Sequence, residues 1–184
     1  YSNSFSLSSD HYAFLGENWQ ANLLIEGFYT ILNDVFATRI IEQDIINNII
    51  YQERYNASGA DVAGVSLSAK LAYKDLVTFS LGYTLQTSKY KQTEYWSDDE
   101  SVEGTDYLLR SPEDYGFFSM DISAIRNTNI TLGGTYTGKM KVAHYAGYIE
   151  QDRLETTPRF FDLNAAISYD IKAGKGLIPH LNCR

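Results

Sequence analysis

Between Asn18 and Leu32 the odd positions read Trp19, Ala21, Leu23, Ile25, Gly27, Tyr29 and Ile31, all apolar. The even positions read Asn18, Gln20, Asn22, Leu24, Glu26, Phe28 and Thr30, polar except for Leu24 and Phe28. A period of two is the signature of a strand with unlike faces, and no helix can satisfy it. The pattern recurs down the chain. Ala63, Val65, Leu67, Ala69, Leu71 and Tyr73 alternate with Val62, Gly64, Ser66, Ser68, Lys70 and Ala72. Val77, Phe79, Leu81, Tyr83 and Leu85 alternate with Thr78, Ser80, Gly82, Thr84 and Gln86. Phe118 to Ala124, Ile130 to Tyr136 and Phe161 to Ile171 repeat it, and a shorter run from Asn3 to Tyr12 opens the chain with Phe5 and Leu7. About seven strands result, several longer than the roughly 5–6 residues usual in soluble sheets. The abundance of Tyr (15) against only 3 Pro and 2 Met suits such strands.

The connections alternate as well. Short ones fall at Ala13–Glu17, Lys74–Asp75, Arg126–Thr128 and Lys172–Lys175; long ones run over 33–61, 87–115 and 141–157. Tight turns at one end and long loops at the other describe an antiparallel up-and-down barrel of the outer-membrane type. Within the first long connection, Phe36 to Glu42 and Asn48 to Tyr55 predict a hairpin that turns near Asp44–Asn47.

Alternation alone does not say which row faces outward. A soluble or surface-anchored β-barrel or sandwich that binds a ligand would turn its apolar rows inward, and a membrane barrel does the reverse. The polar rows decide the expectation. A water-facing row would be rich in Lys and Glu, whereas these rows are Ser, Thr, Asn, Gln and Gly with Glu26, Lys70, Asp121 and Asp162 interspersed. No charge interrupts the six apolar rows of the later strands, and Lys or Arg there would cost about 2–4 kcal/mol at the bilayer midplane. Tyr12, Trp19, Tyr73, Tyr136 and Tyr169 near strand ends fit interfacial girdles. Seven strands do not close the even-numbered barrel usual for one bacterial chain. Together with a truncated apolar run from Gly176 to Leu181, this predicts a partial barrel, a fragment of something larger.

The remaining composition excludes other classes. Net charge is −8, from 15 Lys+Arg against 23 Asp+Glu, which argues against nucleic acid as a partner. Cys183 is the single cysteine, so no internal disulfide framework exists. The N-terminal residues carry no basic and apolar leader pattern. His11, His144 and His180 are scattered. A triad of His144 with Glu150 or Asp152 and one of many serines is expected by coincidence, so no enzyme activity and no cofactor is expected. Gly174-Lys175-Gly176 lacks phosphate-loop spacing and reads as a turn, and the sequons at Asn56 and Asn129 read as accidental.

Candidate binding residues cluster in one long loop. Thr93–Asp106 holds Glu94, Asp98, Asp99, Glu100, Glu103 and Asp106 without Lys or Arg. It is either a solvated acidic loop or a place for a cation, though the spacing of a calcium-binding EF-hand is absent. Tyr90, Tyr95, Trp96 and Tyr107 stand beside these carboxylates. They either present a binding mouth or pack on neighbouring loops. Glu26, Lys70, Asp121 and Asp162 either touch whatever fills the barrel or pair with one another across strands.

Four stretches resemble a known family. Gly27 to Phe36 (GFYTILNDVF) looks like a GFYTxLxDxF strand end; Arg110 to Gly116 (RSPEDYG) looks like RxPxxYG; Tyr136 to Met140 (YTGKM) looks like YTGxM; Thr157 to Asn164 looks like the entry to a late strand. In that order they resemble the barrel of TonB-dependent outer-membrane receptors of the kind common among Bacteroidota. The resemblance implies a barrel of about 22 strands filled by an N-terminal plug domain. It also implies uptake of a scarce nutrient (an iron–siderophore, cobalamin, a glycan or similar) bound at the extracellular mouth. The implied partners are outer-membrane lipid, the plug and TonB complex through an N-terminal part missing here, a small nutrient ligand and a surface lipoprotein. Residues 1–184 would then be a late stretch of that barrel in a bacterial outer membrane.

Overall fold

The computed structural model describes residues 1–44, 46–47, 49–97, 99, 101–146, 149–170 and 180–183. Among them are thirteen strands and no helix: β1 (Ser2–Leu15), β2 (Trp19–Leu32), β3 (Phe36–Asp44), β4 (Ile49–Asn56), β5 (Ala60–Tyr73), β6 (Val77–Glu94), β7 (Thr105–Tyr107), β8 (Asp114–Ile125), β9 (Thr128–Thr137), β10 (Lys141–His144), β11 (Arg153–Thr156), β12 (Phe160–Asp170) and β13 (His180–Cys183). The seven strands expected from periodicity are β1, β2, β5, β6, β8, β9 and β12. They form one antiparallel sheet in the order β1-β2-β5-β6-β8-β9-β12-β13, with β7 alongside β6. The chain is all-β, the wall of an up-and-down transmembrane barrel that is not closed within these residues.

Tight turns join β1 to β2, β5 to β6 and β8 to β9, and each carries one residue in the left-handed region: Gly16 (φ 71°), Lys74 (φ 48°) and Asn127 (φ 58°). That single reversal of hand lets a turn of two or three residues match the twist of its strands. The turns also continue the ladders, since the Lys74 N–H donates to the Asn18 carbonyl (2.8 Å) and the Ser123 N–H to that of Leu76 (2.7 Å). The expected turn at Lys172–Lys175, with Gly174-Lys175-Gly176, lies outside the described residues. At the opposite end the connections carry the β3–β4 hairpin, β7 and the β10–β11 hairpin. The first of these stands where the sequence placed it.

Directly paired residues of an antiparallel sheet share a face. Trp19 pairs with Tyr73, Leu23 with Ala69 and Ile25 with Leu67; Leu71 pairs with Phe79, Phe79 with Met120 and Ile130 with Ile167. The apolar rows therefore join into one continuous face. That face has no nucleus beneath it. Leu23 is 37% exposed, Phe79 38% and Ile167 52%; Ala57, Ala60 and Trp96 are the buried apolar residues among those described. A soluble barrel or sandwich would bury these rows.

The face is bounded by aromatic rings. Trp19 lies against Tyr73 (centroids 4.8 Å apart) at the tight-turn end, and Tyr83 stacks on Tyr136 (6.3 Å) at the other. From Trp19 to Tyr29 is a climb of ten residues, roughly 33 Å along the strand and about 25 Å along the normal for a strand tilted by about 40°. That equals the height of the apolar band of an outer-membrane barrel. Tyr12 corrects one expectation: it pairs with Asn22 and so stands on the polar face, outside the girdle. The apolar exception Phe28 is also accounted for. It pairs with Gly64, and its ring would lie 2.5 Å from a Cβ there, so the glycine makes room for an aromatic laid flat on the polar face. Gly82 does the same for Phe117.

Candidate functional site

Beyond the band, β6 runs on to Glu94, and the chain returns through β7 against it. This extension brings three loop structures together through two carboxylates. Glu94 accepts a hydrogen bond from the Tyr55 hydroxyl (3.0 Å) on β4 and another from the Ser58 backbone N–H (2.8 Å). Asp152, buried between β10 and β11, accepts from the Ser97 hydroxyl (2.6 Å) and the Ala146 N–H (2.5 Å). The first clamp holds the β3–β4 hairpin to the end of β6. The second holds the residues after β6 to the β10–β11 hairpin. Asp152 entered the sequence reading only as a partner for His144, which instead pairs with Arg153 across β10 and β11.

Between the three lies a cavity of about 380 Å³ whose walls include Phe36, Tyr55, Tyr90, Trp96, Arg110 and Tyr145. Trp96 is only 5% exposed and its ring sits 5.7 Å from that of Tyr145. Its indole nitrogen is buried with no hydrogen-bond partner among the described residues. Tyr95, also on the wall, is 65% exposed. A second hollow of about 290 Å³ lies beside it, bounded by Ser88, Tyr107, Ser111, Pro112, Met140 and Lys141.

The candidates named from sequence therefore divide. Tyr90, Tyr95 and Trp96 line the first cavity, and Tyr107 lines the second. Asp99 folds onto its own turn, accepting from the Ser101 N–H (2.9 Å) and hydroxyl (2.6 Å); those bonds lower its pKa. Asp98 and Glu100 lie outside the described residues. The acidic loop is also less isolated than its sequence implies. Lys89, on the neighbouring strand, reaches Asp106 at 2.8 Å and lies 4.8 Å from the Tyr107 ring. That contact raises the Lys89 pKa and lowers that of Asp106. For Glu94, burial is the largest single influence and pushes upward, but the bonds from Ser58 and Tyr55 outweigh it and the pKa is lowered.

Glu26, Lys70, Asp121 and Asp162 all stand on the polar face, as their parity requires. Pairing with one another does not occur in register: Glu26 faces Ser8 and Ser66, Lys70 faces Asn22 and Ser80, Asp121 faces Thr78 and Thr131, and Asp162 faces Thr135. Asp121 accepts a bond from the Thr131 hydroxyl (2.7 Å).

No family model matches the chain, and no curated protein matches it. Solved structures do. The siderophore receptor PirA from Acinetobacter baumannii has a similar fold. The superposition covers 90% of this chain with a TM-score of 0.52 at 13% identity. The chain spans about a quarter (25%) of the length of the PirA chain. At that identity PirA shares its architecture with this chain, and its named ligand class is a property of PirA.

Proposed function

We propose that the chain is a stretch of barrel wall from a TonB-dependent receptor of the bacterial outer membrane, of the Bacteroidota kind. In this reading it forms part of the mouth that binds a scarce nutrient and part of the passage into the periplasm. One observation carries the reading: a continuous apolar face, about as tall as a bilayer core and edged by aromatic rings, lies open along seven long strands. The likeness to a siderophore receptor supports the receptor kind. An iron chelate, cobalamin or a similar nutrient is the cargo class this role implies, and the role is transport, with no catalysis. The polar face with Glu26, Lys70, Asp121 and Asp162 would meet a plug domain, TonB would act through that plug, and a surface lipoprotein would cover the mouth.

The test is solubility. The purified protein should require detergent or lipid to remain monodisperse. A monomer in plain buffer with a cooperative melt would mean that the apolar rows are buried, and the receptor reading would fail.

A further inference from the structure

Ser9 and His11 interrupt the apolar face at the middle of its height. Ser9 pairs with Ile25 and His11 with Leu23, so the two straddle the midpoint of the band from Trp19 to Tyr29. The Ser9 hydroxyl and the His11 Nε2 bond to each other at 2.8 Å. In either tautomer of the uncharged ring, that bond uses one donor and one acceptor. One further donor and one further acceptor, on the hydroxyl and on Nδ1, are left without a partner among the described residues. Acyl tails can satisfy neither. An ionisable side chain at this depth is costly and is a mark of function.

The surface beside this pair is lowered. A hollow of about 400 Å³ is lined by His11 together with Ala13, Ala21, Ala69, Leu71 and Phe79 among others. Its alanines come from the adjacent strands β1, β2 and β5, and their small side chains leave room for a projecting one from another wall. A lipid tail could fill the hollow but could not meet the pair. An occupant that does both carries a donor and an acceptor at mid-bilayer depth. A second copy of this wall meets that requirement by symmetry. Two copies in one membrane share its normal, and a two-fold axis along the normal keeps every residue at its own depth. Ser9 and His11 of one copy then stand opposite Ser9 and His11 of the other.

We propose that this patch of wall is a lateral contact between two copies of the barrel. The spare donor of each Ser9–His11 pair bonds to the spare acceptor of the other, closing a ring of four hydrogen bonds inside the membrane. The inference rests on the receptor reading for the lipid around this face, and adds to it a partner within the bilayer. With copies held apart by excess lipid, the spare groups stay unmet and His11 lowers stability. Association removes that cost, so the pair favours the dimer over the separate barrels.

The test uses the complete receptor chain that contains these residues. Sedimentation equilibrium in density-matched detergent should show a concentration-dependent dimer. His11→Leu and Ser9→Ala should each weaken it about tenfold, from the loss of two hydrogen bonds within the apolar layer. Combined, they should weaken it no further than either alone, because both remove the same bonds. In native membranes, copper-phenanthroline oxidation of Leu7→Cys, which leaves Ser9 and His11 intact, should give a band of twice the receptor's mass that contains the receptor alone. The chain without that substitution should give no such band. A monomer at every concentration, unchanged association in both variants, or a crosslink to a different protein would overturn the proposal. A His11→Leu variant less stable than the parent in excess lipid would overturn it as well, by showing that the pair is satisfied within one barrel. Failure of the receptor reading looks different. The chain would then stay in the soluble fraction without detergent, whereas failure of this proposal alone leaves it membrane-bound and monomeric.

Discussion

Glu94 shows how much of this protein's order rests on single side chains. Its carboxylate is held by bonds from Ser58 and Tyr55, and its folded pKa is depressed despite burial. A depressed carboxyl stabilises the fold fully above the ordinary glutamate range and loses that contribution as pH falls through its lowered folded value. The protection factor of the Ser58 amide, its exchange rate taken relative to the unstructured rate at the same pH, should therefore be high at neutral pH and fall in acid below that range. Glu94→Gln, which retains a weaker acceptor, should show lower protection at neutral pH and little further change in acid. An acid response that persists in Glu94→Gln would assign the effect to another group. These loop contacts were illegible in the sequence for a plain reason. Tyr55 and Glu94 are 39 residues apart and Ser97 and Asp152 are 55 apart, and no periodicity marks such pairs. The sequence could find Trp96 as an aromatic near carboxylates, but its burial against Tyr145 depends on a hairpin about fifty residues later.

His11 stands out at the same scale. It pairs with Leu23 and Ser9 pairs with Ile25, so both lie in the apolar row, where they bond to each other at 2.8 Å. Four residues from the tight-turn end of β1, His11 is roughly 10 Å into the apolar band. The bond satisfies part of the pair's polarity and leaves the rest facing hydrocarbon, which is costly. In the chain joined to further strands that pair with β1, His11→Leu should raise stability against urea in excess lipid by about 1 kcal/mol. A loss of stability of that size would mean that His11 bonds to a partner outside β1 and β2. Parity alone puts Ser9 and His11 in the row of Phe5 and Leu7, and the pairing of β1 with β2 shows that this row joins the apolar face.

Among elements, the long strands were the legible part. Each follows a period of two with few exceptions, and a one-residue slip would exchange every side chain between faces, so pattern and register fix one another. Asn22 and Leu23 are adjacent in β2 and stand on opposite faces, which makes them a direct test. Leu23→Arg places a guanidinium in the apolar band at a cost of about 2–4 kcal/mol, and, in the chain joined to further strands that pair with β1, should sharply reduce the fraction that assembles in vesicles as a protease-resistant species. Asn22→Arg points to the wet face and should assemble nearly as well. Equal losses would contradict the assigned faces. β7, β10 and β11 escaped the sequence reading because three or four residues are too few to display a period. They exist through contacts with partners: β7 by pairing along β6, and β10 by pairing with β11 while its first carbonyl, that of Lys141, accepts from the Arg110 N–H (2.8 Å).

For the whole molecule, the open edge governs behaviour as strongly as the open face. β1 pairs only with β2 among the described strands, so along its free edge the backbone groups of alternate residues have no ladder partner. In water such an edge is hydrated; in hydrocarbon each unsatisfied group costs several kcal/mol, and over a strand of 14 residues the total far exceeds the roughly 5–15 kcal/mol by which ordinary domains are stable. The sheet and its apolar face therefore make opposite demands. The face needs lipid, and the edge forbids lipid until another strand covers it. Residues 1–184 expressed alone should consequently stay protease-sensitive when offered lipid vesicles. The same residues joined to further strands that pair with β1 should become protected over the band from Trp19 to Tyr29, with cleavage confined to the long loops around Asp44 and Asp99. Full protection of the isolated chain would require β1 to find its missing partner by closing on its own far edge or on a second copy. Crosslinking between Ser6→Cys on β1 and Asn182→Cys on β13, the strand at the far edge, distinguishes these: an intramolecular bond reports closure into a small barrel, and an intermolecular one reports pairing of two copies.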